Sequence, residues 1–94
     1  MKKLYSFYRI YDDHENYIGV TSQKMYSRMA KHYYRAFMEK KQSKLSTYIR
    51  ECSFPPKFKY EVFDQEELTE EDARNKEMLY IKFLKPSLNT IHAK

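Results

Sequence analysis

The spacing of the apolar residues divides the chain into six segments, and the order of these segments restricts the fold more than any other feature. A two-residue period predicts strands at residues 4–11 and 17–21, and the polar residues 12–16 predict a hairpin loop between them. A four-residue period then predicts a helix from Met25 to about Lys40, with a core stripe formed by Met25, Met29, Tyr33 and Phe37.

The next two segments are a short helix and a third strand. Residues 44–52 have apolar side chains at helical spacing, and Ser43 before them can cap a helix. Pro55-Pro56 ends that region. Between residues 58 and 62 apolar and charged side chains alternate, which predicts a strand with one buried face. Phe63 breaks the alternation, so the strand is expected to end there.

The last segment is a helix that follows Thr69, a suitable N-cap, and runs to about Leu84. Three acidic residues in its first turn complement the helix dipole. Residues 87–94 are predicted to be irregular. The order β-β-α-α-β-α predicts one α+β domain over residues 1–94, in which a small three-stranded antiparallel sheet is flanked by helices.

The chain is basic and rich in charge. Its net charge is +5, and charged residues make up 33% of the sequence, above the usual share of about 25%. This balance favours an anionic partner, which could be a nucleic acid, an acidic protein or a membrane surface. No apolar stretch approaches the length of about 18 residues that a membrane span needs, so no membrane partner is expected.

Cysteine usage indicates the compartment. Cys52 is the only cysteine, so the sequence has neither a disulfide framework nor zinc-ligand spacing. The N-terminal residues lack the apolar run of a signal peptide. A reducing, intracellular and cytoplasmic location is therefore expected.

Two residues are anomalous in their segments. Gly19 is the only glycine, where average usage predicts roughly six or seven. A glycine inside a strand indicates a bulge or a close approach by a ligand or another backbone. Glu77 lies inside the wide apolar arc of the last helix, where a carboxylate is costly unless it is ion-paired, hydrogen-bonded or bound to a cation. A structural ion pair and a functional site are both open.

Arg28 and His32 lie one helical turn apart and point the same way. Such a pair can mark a solvated face, a capped core histidine or a site.

The sequence also contains short motifs in a defined order. Ser6-Phe7-Tyr8 lies in the first strand, Tyr17-Ile18-Gly19 in the second, and Arg28 and His32 follow on the first helix.

Two further segments and one residue continue this order. They are Phe58-Lys59-Tyr60-Glu61-Val62, Glu77-Met78-Leu79-Tyr80-Ile81 and Asn89. Taken together, these motifs resemble a GIY-YIG nuclease domain, and the resemblance extends from about Leu4 to Asn89. Ser6-Phe7-Tyr8 stands where that family has Gly-Ile-Tyr. Tyr17-Ile18-Gly19 is the intact second signature.

The resemblance implies a stand-alone GIY-YIG-type fold and a metal-dependent endonuclease that hydrolyses phosphodiester bonds in DNA, and structured or single-stranded nucleic acid is left open as its substrate. It implies five catalytic residues, Tyr8, Tyr17, Arg28, His32 and Glu77. Residues expected at the substrate are Gly19, Lys31, Arg35 and Asn89. Glu77 is the only strong metal ligand in the set, and one carboxylate suits a single, largely hydrated Mg²⁺ or Mn²⁺ ion.

The fork of Arg28 matches two phosphate oxygens. The resemblance implies that a signature tyrosine takes the proton of the attacking water. Tyr8 is favoured as this base, with Tyr17 as a positioning residue and His32 holding the hydroxyl, although the two tyrosines could exchange roles. A second copy of the chain or a partner protein could supply specificity, and the small size suits a phage or mobile-element nuclease.

Two other functions remain open. The basic segment from Lys24 to Lys44, together with the many tyrosines, could hold nucleic acid without cutting it. The chain could also be a protein-interaction module on the same scaffold, because a fold does not determine a function.

Overall fold

The computed structural model describes residues 1–39, 43–51 and 58–89. The predicted order β-β-α-α-β-α and the predicted α+β class are both confirmed. None of the described helices is long and apolar enough to cross a membrane. The elements are β1 (Lys3–Tyr11), β2 (Asn16–Thr21), α1 (Met25–Phe37), α2 (Lys44–Glu51), β3 (Lys59–Leu68) and α3 (Glu70–Leu84).

The three strands form one antiparallel sheet with the order β2-β1-β3, so β1 lies in the middle. Tyr8 of β1 pairs with Gly19 of β2, and the two residues therefore share a face of the sheet. On that face Tyr8 and Ile10 are fully buried. They form the main core with Met29, Ala36, Leu45, Ile49 and Leu88.

The opposite face of β1 meets α3. The ring of Phe7 packs against that of Tyr80 with 5.4 Å between their centroids. The ammonium group of Lys76 lies 5.1 Å from the centroid of the Phe7 ring. A small sheet with helices on both faces thus buries its central strand on both sides.

The predicted core stripe of α1 is partly confirmed, since Met25 and Tyr33 pack against the core. Its buried residues are Met29, His32 and Ala36, whereas Phe37 of the predicted core stripe is exposed. The helix is turned so that His32 faces the sheet, because this side chain hydrogen-bonds to the buried Tyr8 hydroxyl. The helix ends at Phe37, and Lys40, the predicted end, lies outside the described residues.

The predicted burial of β3 was wrong. Tyr60 and Val62 are 47% and 40% exposed, because β3 is an edge strand and the core lies over β1. Its predicted end was also wrong. Phe7 pairs with Asp64 and Tyr8 pairs with Val62, so Phe63 is the extra residue of a β-bulge and the strand continues to Leu68.

The last helix begins as predicted, since the Thr69 hydroxyl accepts a hydrogen bond from the backbone N–H of Asp72. Its apolar arc is not the buried face that the pattern indicates. Only Ala73 is buried on α3, while Leu79 and Phe83 are 54% and 75% exposed. The helix contacts β2 more than the other strands, so only a narrow stripe of it meets the sheet.

The segment after α3 covers the outer edge of β2. The side-chain oxygen of Asn89 accepts from Ile18 N–H at 2.8 Å, and its amide nitrogen donates to Ile18 C=O, also at 2.8 Å. The N–H of Leu88 donates to the carbonyl of Asn16. Residues 87–89 thus replace a neighbouring strand, and they fix the position of α3 beside β2. Residues 90–94 of the predicted tail lie outside the described residues, as do Cys52 and Pro55-Pro56.

Candidate active site

The hydroxyl group of Tyr8 is the centre of the site. It accepts a hydrogen bond from Nε of Arg28 at 3.0 Å and lies 2.9 Å from Nε2 of His32. Tyr8 and His32 are both buried. Helical spacing predicted that Arg28 and His32 are neighbours. In the structure both side chains contact the same hydroxyl group, that of Tyr8 on the central strand.

The direction of the hydrogen bond between Tyr8 and His32 depends on the charge state and on the tautomer of the His32 ring. Burial, together with the positive charges of Arg28 and Arg35, lowers the pKa of His32 to about 3. The ring is therefore neutral near pH 7. Because Arg28 already donates to the Tyr8 oxygen, we assign the phenol proton to the bond toward Nε2 of His32.

The reason for the single glycine is steric. A Cβ atom at Gly19 would lie 2.6 Å from Cζ of Tyr8, closer still to its hydroxyl oxygen, and 3.1 Å from Cε1 of Tyr17. Gly19 has no positive φ, and its pairing with β1 is regular. The close approach that the sequence predicts is therefore made by the Tyr8 side chain, and Gly19 lies beneath the tyrosine rather than in a bulge.

The two tyrosines predicted at the site, Tyr8 and Tyr17, have different surroundings. Tyr8 is fully enclosed, whereas Tyr17 lines a cavity. Burial raises the pKa of Tyr8, and the charge of Arg28 opposes that rise. Burial, with smaller contributions from Tyr8 and Glu77, raises the pKa of Tyr17 well above its ordinary range. Neither phenol is ionised near neutral pH.

Glu77 reaches the site from α3. Burial raises the pKa of its carboxyl group, although Arg74, Arg28 and the backbone N–H of Val20 stabilise the charged form. Among the described residues, the ion pairs within 4.0 Å do not include Glu77, so the structural ion pair that the sequence left open is not formed there. The carboxylate is partly desolvated and incompletely compensated.

Two cavities meet at Glu77. The larger has a volume of about 640 Å³ and the smaller about 480 Å³, and both are lined by Lys31, Arg35 and Glu77. The larger cavity adds Tyr17, His32 and Asn89, and the smaller adds Arg28. Seven of the nine predicted residues therefore line these two neighbouring cavities, while Tyr8 and Gly19 line neither.

Asn89 lines the larger cavity, but both the oxygen and the nitrogen of its side-chain amide are bound to the backbone of Ile18. Sequence reasoning missed two basic residues of the smaller cavity, Arg74 and Lys3. Arg74 precedes Glu77 by three positions on the same helix, and that spacing was a usable signal. Lys3 reaches the cavity from β1, and nothing in the sequence marks it.

The donor set limits how a metal ion could be bound. The described residues contain no group of three or more His, Cys, Asp or Glu side chains that could hold an ion. Glu77 is the carboxylate that lines both cavities, with Glu39 in the larger and Glu70 in the smaller one, and Nε2 of His32 is occupied by Tyr8. One partly desolvated carboxylate at the junction of two cavities fits a Mg²⁺ ion that keeps most of its water ligands.

Comparison of the chain with protein-family models, with characterised proteins and with solved structures found no significant match. The assignment of this site therefore depends on its geometry and on the motifs in the sequence.

Gly19→Ala is expected to destabilise the fold by about 1–3 kcal/mol, because the new methyl group overlaps a fully buried ring. Urea unfolding measures the loss. In a Tyr8→Phe background the same change should cost less, since the nearest atom, the hydroxyl oxygen, is gone. Gly19→Ala with wild-type stability would contradict the steric account.

Stability should fall in mild acid because of His32. Its pKa is lowered to about 3 in the folded chain, against about 6.5 in the unfolded chain. Between these values only the unfolded chain binds the proton, so the free energy of unfolding decreases as the pH falls below about 6.5, by at most about 1.4 kcal/mol per pH unit.

Urea unfolding at pH 7 and pH 5 tests this with His32→Gln as the control. Glutamine can still accept from Tyr8 but does not titrate. The loss of stability between the two pH values should be smaller in the variant, and an equal loss in both proteins would refute the assignment.

Proposed function

We propose that this chain is a metal-dependent endonuclease that hydrolyses phosphodiester bonds, with DNA as the principal substrate. One observation carries the proposal. The Tyr8 hydroxyl is held between Arg28 and His32 at 3.0 and 2.9 Å, and Glu77 lines a cavity with each of these two residues. A phosphate-binding cation, a proton relay and a carboxylate are the groups that this hydrolysis requires.

Arg28 is suited to the scissile phosphate. Its Nε donates to Tyr8, which leaves the two terminal nitrogens of the guanidinium group for phosphate oxygens. Lys31 and Arg35 lie on the same side of the helix and line both cavities. These three cations would hold the backbone of the substrate on either side of the cut.

Glu77 would hold the metal ion. When bound, Mg²⁺ or Mn²⁺ neutralises charge on the phosphoryl oxygens and makes a water ligand more acidic. Burial raises the pKa of the Glu77 carboxyl group, so an adjacent cation is favourable there.

Tyr8 would act as the base through a relay. It takes a proton from the attacking water while its own proton moves to Nε2 of His32, so a full phenolate is not required. A substrate phosphate offsets the charges of Arg28 and Arg35, which are two of the causes that lower the pKa of His32. Local separation of the side chains around Tyr8 would admit the attacking water, and Tyr17 in the cavity would position the substrate.

A second candidate function is a module that binds nucleic acid or protein without cutting. The outer face of α3 favours a protein contact, because Met78, Leu79 and Phe83 are all more than half exposed. In the nuclease proposal the same face would receive a second copy of the chain or a partner that supplies specificity.

The nuclease proposal also includes a location in the reducing cytoplasm, in line with the single cysteine of the sequence.

Incubation of the protein with plasmid, single-stranded DNA and RNA, with Mg²⁺ or with a chelator, tests the proposal. The wild type should cut DNA only with metal present, and Glu77→Gln should lose cleavage by at least about a hundred-fold because the ion loses its carboxylate. Glu71→Gln makes the same chemical change at an exposed position of the same helix and should cut normally.

Binding of DNA without cutting by the wild type, over a range of Mg²⁺ and Mn²⁺ concentrations, would overturn the nuclease proposal in favour of a binding module. Metal-dependent cutting by Glu77→Gln at the wild-type rate would show that Glu77 is not the metal ligand.

A further inference from the structure

The smaller of the two cavities carries more positive charge than its own carboxylates balance. Its volume is about 480 Å³, and five cationic side chains from β1, α1 and α3 line it, namely Lys3, Arg28, Lys31, Arg35 and Arg74. Two carboxylates, Glu70 and Glu77, line it as well. Five cations and two carboxylates leave a net charge of +3 in the lining.

Most of these cations are not compensated within the protein. Among the residues that the structure describes, Arg74 is the one cation of this cavity in an ion pair within 4.0 Å, and its partner is Glu70 at 3.1 Å. Arg28 donates to the uncharged hydroxyl group of Tyr8. Because like charges that share a cavity repel one another, an anion that enters it is bound favourably.

A single phosphate does not balance this charge. Three cations and one carboxylate line this cavity and not the larger one, namely Lys3, Arg28, Arg74 and Glu70, and their net charge is +2. A phosphodiester carries one negative charge. Arg28 is the proposed ligand of the scissile phosphate, so Lys3 and Arg74 remain for another phosphate. The nearest one is the adjacent phosphate of the same strand.

The uncharged polar groups of the lining also suit phosphate oxygens. Thr21 ends β2, and Thr21, Ser22 and Gln23 all line the smaller cavity. The Thr21 oxygen accepts from the backbone N–H of Gln23, and its own proton is still available for donation. Arginine, lysine, hydroxyl and amide groups are the side chains that contact phosphate oxygens in protein–DNA complexes.

We propose that the smaller cavity binds the phosphate adjacent to the scissile one, with Lys3 and Arg74 as its ligands. The proposal rests on the proposed nuclease function and adds a requirement to its substrate, which must present two consecutive charged phosphates at the cut. Glu70 holds Arg74 in the empty cavity and is displaced from it by the phosphate. Since Glu70 and the phosphate compete for Arg74, Glu70 lowers the affinity for DNA.

DNA substrates with one neutral methylphosphonate in the cut strand test the requirement. The group replaces the phosphate on the 5′ side of the mapped scissile phosphate in one substrate and on the 3′ side in another. With the wild-type protein and Mg²⁺, one of the two replacements should lower kcat/KM at least about ten-fold, because a charge-assisted contact is lost. In Arg74→Gln the same replacement should lower kcat/KM by less than about three-fold, because a ligand of that phosphate is already missing.

Two matched pairs of charge variants locate the site by fluorescence anisotropy, with a chelator present so that binding is measured without cutting. Lys3→Gln should make the logarithm of the binding constant less dependent on the logarithm of the salt concentration, by a slope of about 0.7–0.9, the contribution of one phosphate contact. Lys2→Gln removes the same charge from an exposed residue that lines neither cavity and should leave the slope unchanged. Glu70→Gln should strengthen binding more than Glu71→Gln, because Glu71 is exposed and lines neither cavity.

Equal losses from the methylphosphonate in the wild type and in Arg74→Gln would overturn the proposal and leave the nuclease function standing. Equal salt slopes for Lys3→Gln and Lys2→Gln would also overturn it, and equal binding by Glu70→Gln and Glu71→Gln would refute the competition for Arg74. If the wild type binds DNA with the expected salt slopes but does not cut it with Mg²⁺, the nuclease function is refuted and the smaller cavity is still a phosphate site. Lys3 and Glu70 are exposed, so their variants are expected to fold.

Discussion

The burial of one phenolic hydroxyl group is the constraint on which the rest of the structure depends. Tyr8 lies in the middle of the central strand with no exposed surface, and a hydroxyl group there is costly unless it is hydrogen-bonded. Arg28 and His32 satisfy it from α1 and thereby determine which face of that helix meets the sheet. Gly19 supplies the space that the ring requires.

The outer edge of β2 brings the second half of the site to the first. Asn89 binds both the N–H and the C=O of Ile18 through its side-chain amide. These contacts satisfy backbone groups that an edge strand would otherwise leave unpaired. They also hold α3 so that Glu77 faces the cavities that Arg28 and Tyr17 line. Structural needs and the proposed chemistry are therefore met by the same side chains.

Local patterns predicted the elements well, because period and capping depend on neighbouring residues. Helical spacing predicted that Arg28 and His32 are neighbours, and the lone glycine predicted a close approach. The pattern of β3 was misleading, since alternation identifies two faces but does not show whether another element covers either of them. The contact of Gly19 with the Tyr8 side chain and the position of Lys3 in the lining of the smaller cavity both depend on tertiary packing. Spacing along the chain does not encode that packing.

The most direct measurement of the central claim is cleavage of a labelled DNA strand by Tyr8→Phe with Mg²⁺ present. The substitution removes one oxygen atom, and circular dichroism and DNA binding would verify that the fold and the cationic surface remain. The account predicts that cleavage falls by about 10²–10⁴-fold, the usual contribution of a general base, while binding is retained. Cleavage at the wild-type rate would contradict the role of the Tyr8 hydroxyl at the centre of the site.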